Sequence, residues 1–330
     1  MKKIISVLIV ISLMVGIFAI SGLAATKWVA NSVWPPNNDH SIGLVDFAEK
    51  IKERTNGELD IVVETGGALG YKGPELLKAV RDGLVPLSDM LISGVAGDEM
   101  LFEIVTLPFL TLSDDEAKLL SDVCRPFFDK VAAKWNQKIL YIAPWPSAGL
   151  WTKDEIKSVE DMKGLKTRTY DKNGALVVEA TGGTPYALPF SEVYSSLATG
   201  LIDSVITSTP TGVDGKFWEV LKYFQRLNIT QATDMVTVNL KAFSKLDKET
   251  QQILIDTGEE QEEIMWGKVK ETDKAKETLC NQNGIVSVPV TDELKIELSK
   301  ITAGIREEWL TKAPADALVI YKKFMEEVGR

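Results

Sequence analysis

Histidine is almost missing from this chain: His40 is the only one in 330 residues. A metal centre built on several histidines is therefore impossible, and a catalytic triad would have to use His40 as its base. Cysteine is nearly as scarce. Cys124 and Cys280 allow at most one disulfide; they lie far apart in helix-like surroundings, so two buried reduced thiols are expected. Past Ile20 no apolar run is long enough to cross a bilayer. Positive charge is in deficit, with 37 Lys and Arg against 47 Asp and Glu and a net charge of -10, which argues against nucleic acid as a partner. Gly66, Gly67 and Gly70 in ETGGALGYKG do not follow GxGxxG spacing and no GK[ST] comes after them. They read as a structural turn rather than a phosphate cradle. There is no internal repeat and no low-complexity segment.

What is present begins with Met1-Lys2-Lys3, an apolar stretch from Ile4 to Ile20, and the small-residue exit Ser21-Gly22-Leu23-Ala24-Ala25. Positive start, apolar centre and small exit are the parts of a secretory signal peptide, with cleavage expected after Ala24 or Ala25. An uncleaved anchor is the alternative for so long an apolar stretch. No cysteine stands near that junction, so a lipid-anchored mature form is not expected. About 305 residues would remain, enough for two domains with their own cores. Losing Lys2 and Lys3 takes the charge from -10 to -12. An anion-binding protein this acidic has to concentrate its positive charge locally.

The mature chain reads as alternating strands and helices. After strand-like KWVAN come Trp34-Pro35-Pro36 and a polar turn, then Leu44, Phe47, Ala48 and Ile51 at helical spacing up to Gly57. Leu59 to Glu64 reads as a buried strand. Gly73-Pro74 opens a helix carrying Leu76, Leu77 and Val80 that stops at Gly83, and a strand follows near Asp89 to Ile92. This order implies an α/β lobe with a largely parallel sheet. Ile139 to Ala143 leads out towards a second lobe starting near Trp145-Pro146. Strands are expected there at Leu165–Tyr170, Thr184–Ala187 and Ser204–Thr207, with helices at Gly174–Thr181 and Ser191–Thr199. From Asp247 to Leu279 the chain has no proline and is dense in Glu, Lys and Gln, with sparse apolar positions. Such a helix is too long and too polar for one lobe and is expected to lie along both. The expected class is α/β, two lobes with a cleft between them, since ligands bind beyond the carboxyl ends of parallel strands.

The most informative stretch is GLKTRTYDKNGALVVEATGGTPYALPFSEVYSSLATGLID, residues 164–203. Arg168 sits in a short strand before an Asn-Gly break, and Pro189-Phe190 ends the next strand. A guanidinium at a strand end offers a planar fork that a carboxylate matches bidentately. This stretch resembles the signature segment of the solute-binding proteins of TRAP transporters, extracytoplasmic receptors for organic anions. FAEKIKERTNGELDIVVETGGALG, LPFL at 107–110, IKSVEDMKGLKTRT, LPFSEVYSSLATGLIDS and GKFWEVLKYFQ resemble the family in the same order.

The resemblance implies two α/β lobes crossed by a long helix, closing on an organic acid that is then delivered to membrane-embedded permease subunits. It implies a periplasmic location, no cofactor and no enzymatic activity. The division it suggests is a leader at 1–25, a first lobe at 26–145 and 233–273, and a second at 146–232 and 274–330. Arg168 matches the arginine that pairs with the ligand carboxylate, and Phe190 an aromatic wall. Thr207 falls where many relatives carry asparagine, and its hydroxyl can still donate to an anion. Asn31 and Trp34 match the first strand–helix turn, and Ser93 or Gly94 the end of the third strand. Two departures stand out: Ala148 occupies the position of a second arginine found in some relatives, and Thr207-Ser208 replaces the usual Asn-Pro. Both lower the charge and donor count, implying a smaller or less charged acid than sialic acid, such as a monocarboxylate or keto acid.

Two rival functions start from the same residues. An extracytoplasmic hydrolase or lyase would use Arg168 to orient a carboxylate substrate, but the sequence offers no nucleophile–base pair for it. A ligand-binding sensor module would carry the same binding chemistry. Asp114-Asp115 and Glu259-Glu260 read as solvated charge. Trp145, Trp151 and Trp218 read more readily as core than as cleft, and His40 as a local cap or packing residue.

Overall fold

The computed structural model describes residues 25–330; the expected signal peptide and its cleavage point lie outside the described residues. The chain runs β1 (Thr26–Asn31), α1 (Asp39–Arg54), β2 (Leu59–Glu64), α2 (Leu76–Arg81), β3 (Leu87–Leu91), α3 (Asp114–Lys134) and β4 (Gln137–Pro144). It crosses into β5 (Gly149–Thr152), β6 (Lys166–Thr169), α4 (Lys172–Ala180), β7 (Thr184–Ala187), α5 (Val193–Thr199), β8 (Ser204–Thr207), α6 (Thr209–Asp214) and β9 (Tyr223–Gln225). It returns through β10 (Thr233–Asn239), α7 (Leu240–Ser244) and α8 (Lys248–Gln282), then adds β11 (Val286–Val288), α9 (Asp292–Lys312) and α10 (Ala315–Glu327).

Two sheets form, ordered β2-β1-β3-β10-β4 and β11-β9-β5-β8-β6-β7. In the first, β1 is parallel to both β2 and β3, as the β-α-β-α-β order dictates. The expected parallel sheet stops there, because β10 comes back from the second lobe and inserts antiparallel between β3 and β4. The second sheet is mixed as well: β6 runs parallel to β7 and β8, while β5 is antiparallel to β8 and β9. Strand β2 is not the buried strand its composition suggested. It is the sheet edge, and Val62 is 46% exposed.

Alternating side chains build a core on each face of each sheet. On the first sheet, Leu44, Phe47 and Ile51 of α1 and Leu254 of α8 cover one face, and α2, α3 and α10 cover the other. Asn38 caps α1, its side-chain oxygen accepting the His40 N–H at 2.9 Å. On the second sheet, Val177 of α4 and Leu294 and Leu298 of α9 pack on one face. Val193 and Leu197 of α5 pack with Trp151 and Phe224 on the other.

The polar helix read from the sequence is α8, 35 residues long and therefore about 50 Å from end to end. Leu254 enters the first lobe's core while Cys280 enters the second's, so one rigid rod spans both. It lies so close to β4 that a Cβ on Gly258 would sit 2.5 Å from the Leu140 carbonyl oxygen. Towards the other end, Arg226 donates to Asp273 at 2.6 Å and to Glu277 at 2.7 Å, tying the helix to the second lobe. Both cysteines are free and buried.

One part of the expected division differs. Residues 315–327 do not stay with the second lobe: Ala317, Ile320 and Phe324 of α10 pack with Cys124 and Phe128 in the first lobe's core. Pro314 ends α9 and turns the chain. Arg330 then anchors the terminus, donating to the Leu110 carbonyl at 2.9 Å and to Glu116 at 2.7 Å. Apolar spacing shows that a helix has a buried face but not which core receives it.

Candidate ligand-binding site

The crossovers from β4 to β5 and from β9 to β10 run side by side. Trp145 N–H donates to the Ala232 carbonyl at 2.9 Å, and Ala148 N–H to that of Thr230 at 2.8 Å. In front of this paired hinge the lobes touch. Asn38 donates to Asp214 at 2.6 Å, Lys72 to Glu192 at 3.0 Å, and Lys172 to Glu103 at 3.0 Å. Between them lies a cavity of about 390 Å³, its open mouth included. It opens into a wider cleft of about 1460 Å³ that includes the mouth, bounded by the glycine-rich turn at 66–73 and by Leu188–Ser191.

Arg168 reaches the cavity from β6, a strand held between β8 and β7. It is 5% exposed. Its Nε–H donates to the Leu188 carbonyl at 3.0 Å, which fixes the plane of the guanidinium. Among the described residues no carboxylate pairs with it and its terminal nitrogens have no protein partner, so the outer edge of the fork is unpaired. Burial pushes its pKa down to about 10, against smaller upward pulls from Tyr170 and Asp171; it stays charged at neutral pH. Among the described residues it is the one charged member of the cavity wall.

The remaining wall is aromatic and hydroxylic. Trp34, Trp145, Tyr170 and Phe190 contribute rings, and Thr207, Ser208 and Thr211 contribute hydroxyls at the end of β8 and in α6. Trp34 and Trp145 meet edge to face with centroids 4.7 Å apart, and Phe190 lies 6.3 Å from Trp34. Both indoles are held from behind. Trp34 Nε1–H donates to Asp234 Oδ2 and Trp145 Nε1–H to Asp234 Oδ1, each at 2.7 Å.

Asp234 belongs to a buried trio with Asp89 and His40. Burial, then the neighbouring Asp234, raise the pKa of Asp89 well above the usual carboxylate range, which favours its neutral form. His40 stacks on Trp145 at 4.2 Å, and burial lowers its pKa, leaving it neutral. Asp234 supports the wall through its two indole N–H bonds, with His40 Nδ1 3.7 Å from its Oδ2. The local packing role expected for His40 is therefore part of the site's scaffold.

Of the six residues singled out in the sequence, Arg168, Phe190, Thr207 and Trp34 line the cavity. Asn31 and Ser93 do not. Asn31 is fully buried at the end of β1, donating to Ser88 Oγ at 3.3 Å. Ser93 lies beside Asp171, the residue that caps α4, and Leu91 takes the cavity position on that side. Three contributors were missed. Tyr170 lies two residues beyond Arg168, so strand periodicity carried the signal for it. Thr211 lies four residues beyond Thr207, in the first turn of α6. Trp145 needed Asp234, 89 positions away, to turn its ring into the wall. Ala148, at the position of the second arginine of some relatives, does line the cavity.

Two α/β lobes joined by a paired hinge and closed on a cavity with a single guanidinium define an extracytoplasmic receptor for organic acids. The chain belongs to the DctP family, bacterial extracellular solute-binding protein family 7, whose model matches residues 30–311. Members of this family are receptors that bind their substrates, work with membrane permease components and reside in the periplasm. The chain is similar to DctP6 of Bordetella pertussis, an extracytoplasmic solute receptor binding pyroglutamic acid. The two are 32% identical with a TM-score of 0.88, over 91% of this chain and all of the other. DctP7 of the same organism, also described as binding pyroglutamic acid, is 30% identical with a TM-score of 0.87, over 90% of this chain and all of the other. A monocarboxylate 2-oxoacid-binding periplasmic protein of Nostoc sp. strain PCC 7120 is 28% identical, over 93% of this chain and 86% of its own length.

Proposed function

We propose that this protein captures a compact monocarboxylic acid of the pyroglutamate class and releases it unchanged to the membrane permease of a TRAP transporter. The reading includes export to the periplasm with cleavage near Ala24 or Ala25. The observation that carries it is the lone buried Arg168, its fork unpaired by protein, inside a small wall of aromatic rings. One guanidinium neutralises one carboxylate bidentately. With no second cation in the wall, a second carboxylate would be buried without a partner, at a prohibitive cost. Aromatic faces suit a flat ring, and the hydroxyls of Thr207, Ser208 and Thr211 can meet its polar edge. The pyroglutamate-binding relatives support this ring-shaped ligand.

The Nostoc relative favours a second candidate, a short 2-oxo acid, whose keto oxygen would use the same hydroxyls. A panel of pyroglutamate, pyruvate, gulonate and the neutral lactam 2-pyrrolidinone separates the readings by thermal shift. The true ligand class raises stability by about 2.7 kcal/mol at a hundredfold excess over its dissociation constant. Pyroglutamate should stabilise and 2-pyrrolidinone, which lacks only the carboxylate, should not. Stabilisation by neutral sugars with no response to any acid would overturn the proposal.

A further inference from the structure

Asp234 never touches the cavity, yet it meets both rings that shape the cavity's flat side. Its side chain is fully buried, and each of its oxygens accepts one indole N–H at 2.7 Å. The three residues come from separate parts of the chain: Trp34 from the turn after β1, Trp145 from the outgoing crossover, Asp234 from the strand that follows the return crossover. Tryptophan side chains otherwise choose among several rotamers. A short hydrogen bond in a dry site is among the stronger orienting interactions available. Two such bonds on one rigid carboxylate fix the rings relative to each other as well as to the backbone.

We propose that Asp234 is a positioning residue for ligand recognition: by clamping Trp34 and Trp145 together it sets the width of the slot that admits a ring-shaped ligand. The inference rests on the reading of the ligand as a compact cyclic acid. Only a carboxylate can do this at position 234, because it presents two acceptor oxygens in one plane. The amide of Asn presents one acceptor and one donor, and the donor would face an indole N–H. One of the two rings must then abandon its bond and turn. A ligand that fills the slot feels that turn, whereas an acid small enough to sit on the Arg168 fork does not.

Titration calorimetry with two probes, pyroglutamate and pyruvate, on Asp234→Asn tests this. Pyroglutamate should weaken about tenfold, the scale of one lost hydrogen bond, while pyruvate changes by less than about threefold. Trp34→Phe keeps the ring and deletes one of the two bonds, so its effect on pyroglutamate should overlap that of Asp234→Asn. The double variant should then lose clearly less than the product of the single losses. The near-ultraviolet circular dichroism of ligand-free Asp234→Asn should also differ from wild type, since one indole has been released. Equal weakening of both acids, no weakening, or full additivity with Trp34→Phe would overturn the clamp. If Asp234→Asn fails to fold, Trp34→Phe and Trp145→Phe carry the same selectivity test, each deleting one bond. If the wild type binds neither acid, it is the cyclic-acid reading that falls. The tryptophan signal then decides the clamp, and unchanged bands in Asp234→Asn would overturn it.

Discussion

Arg168→Ala removes the only charge from the cavity wall and leaves the ligand's carboxylate buried without a partner. Truncating one side of such a pair costs about 2–5 kcal/mol, much of it the penalty on the charge left behind. That range corresponds to an affinity loss of roughly thirty-fold to several thousand-fold. The upper half is expected, because Arg168 is 5% exposed and Leu188 already holds its plane for a bidentate partner. Arg168→Lys should recover only part of the loss, since an ammonium cannot reproduce the fork. The same residue makes an opposite prediction for the empty protein. Burial lowers its pKa to about 10, so at neutral pH the charged side chain costs the fold about 3 kcal/mol. The sign follows from the charge state: a base with a depressed folded-state pKa is penalised in full below that pKa and relieved only in strong alkali. Arg168→Met, which keeps the stem and drops the charge, should therefore raise ligand-free stability by up to that amount while abolishing binding. Calorimetric titration and chemical denaturation of the two variants read both effects. Near-wild-type affinity in Arg168→Ala would refute the site; lower ligand-free stability in Arg168→Met would refute the account of its burial.

Lobe closure should depend on pH through Asp214, which meets Asn38 across the cleft and whose pKa burial raises to about 6. The raised value belongs to the closed form, so closure takes up a proton and ligand affinity should rise by up to about tenfold between pH 7 and pH 5. Asp214→Asn should flatten that profile, and a profile unchanged by the substitution would remove Asp214 from the closing contact. Gly258→Ala should destabilise the protein by about 1–3 kcal/mol through overpacking, because the added Cβ would strike the Leu140 carbonyl at 2.5 Å. Denaturant melts would show it as a lower midpoint, whereas Gly267→Ala, with open space around the site, should be neutral or stabilising.

Much of this protein is determined within short windows of sequence. The helical spacing of Leu44, Phe47, Ala48 and Ile51, the stop at Gly83, and the long polar run that becomes α8 each describe one element. Local patterns suffice for them because an element's buried face is set by its own periodicity. The place of Arg168 in the cavity wall was legible for a related reason: it is a charged fork at a strand end within an ordered set of family segments. What only the tertiary structure decided is pairing across long separations. The insertion of β10 between β3 and β4, the return of α10 to the first lobe, and the displacement of Asn31 and Ser93 from the cavity wall all depend on which surfaces meet. So does the wall itself, which Trp145 joins while Asp234, 89 residues away, accepts its N–H. A residue's type fixes what it can bond to; only the packed fold brings the partner within 2.7 Å of it.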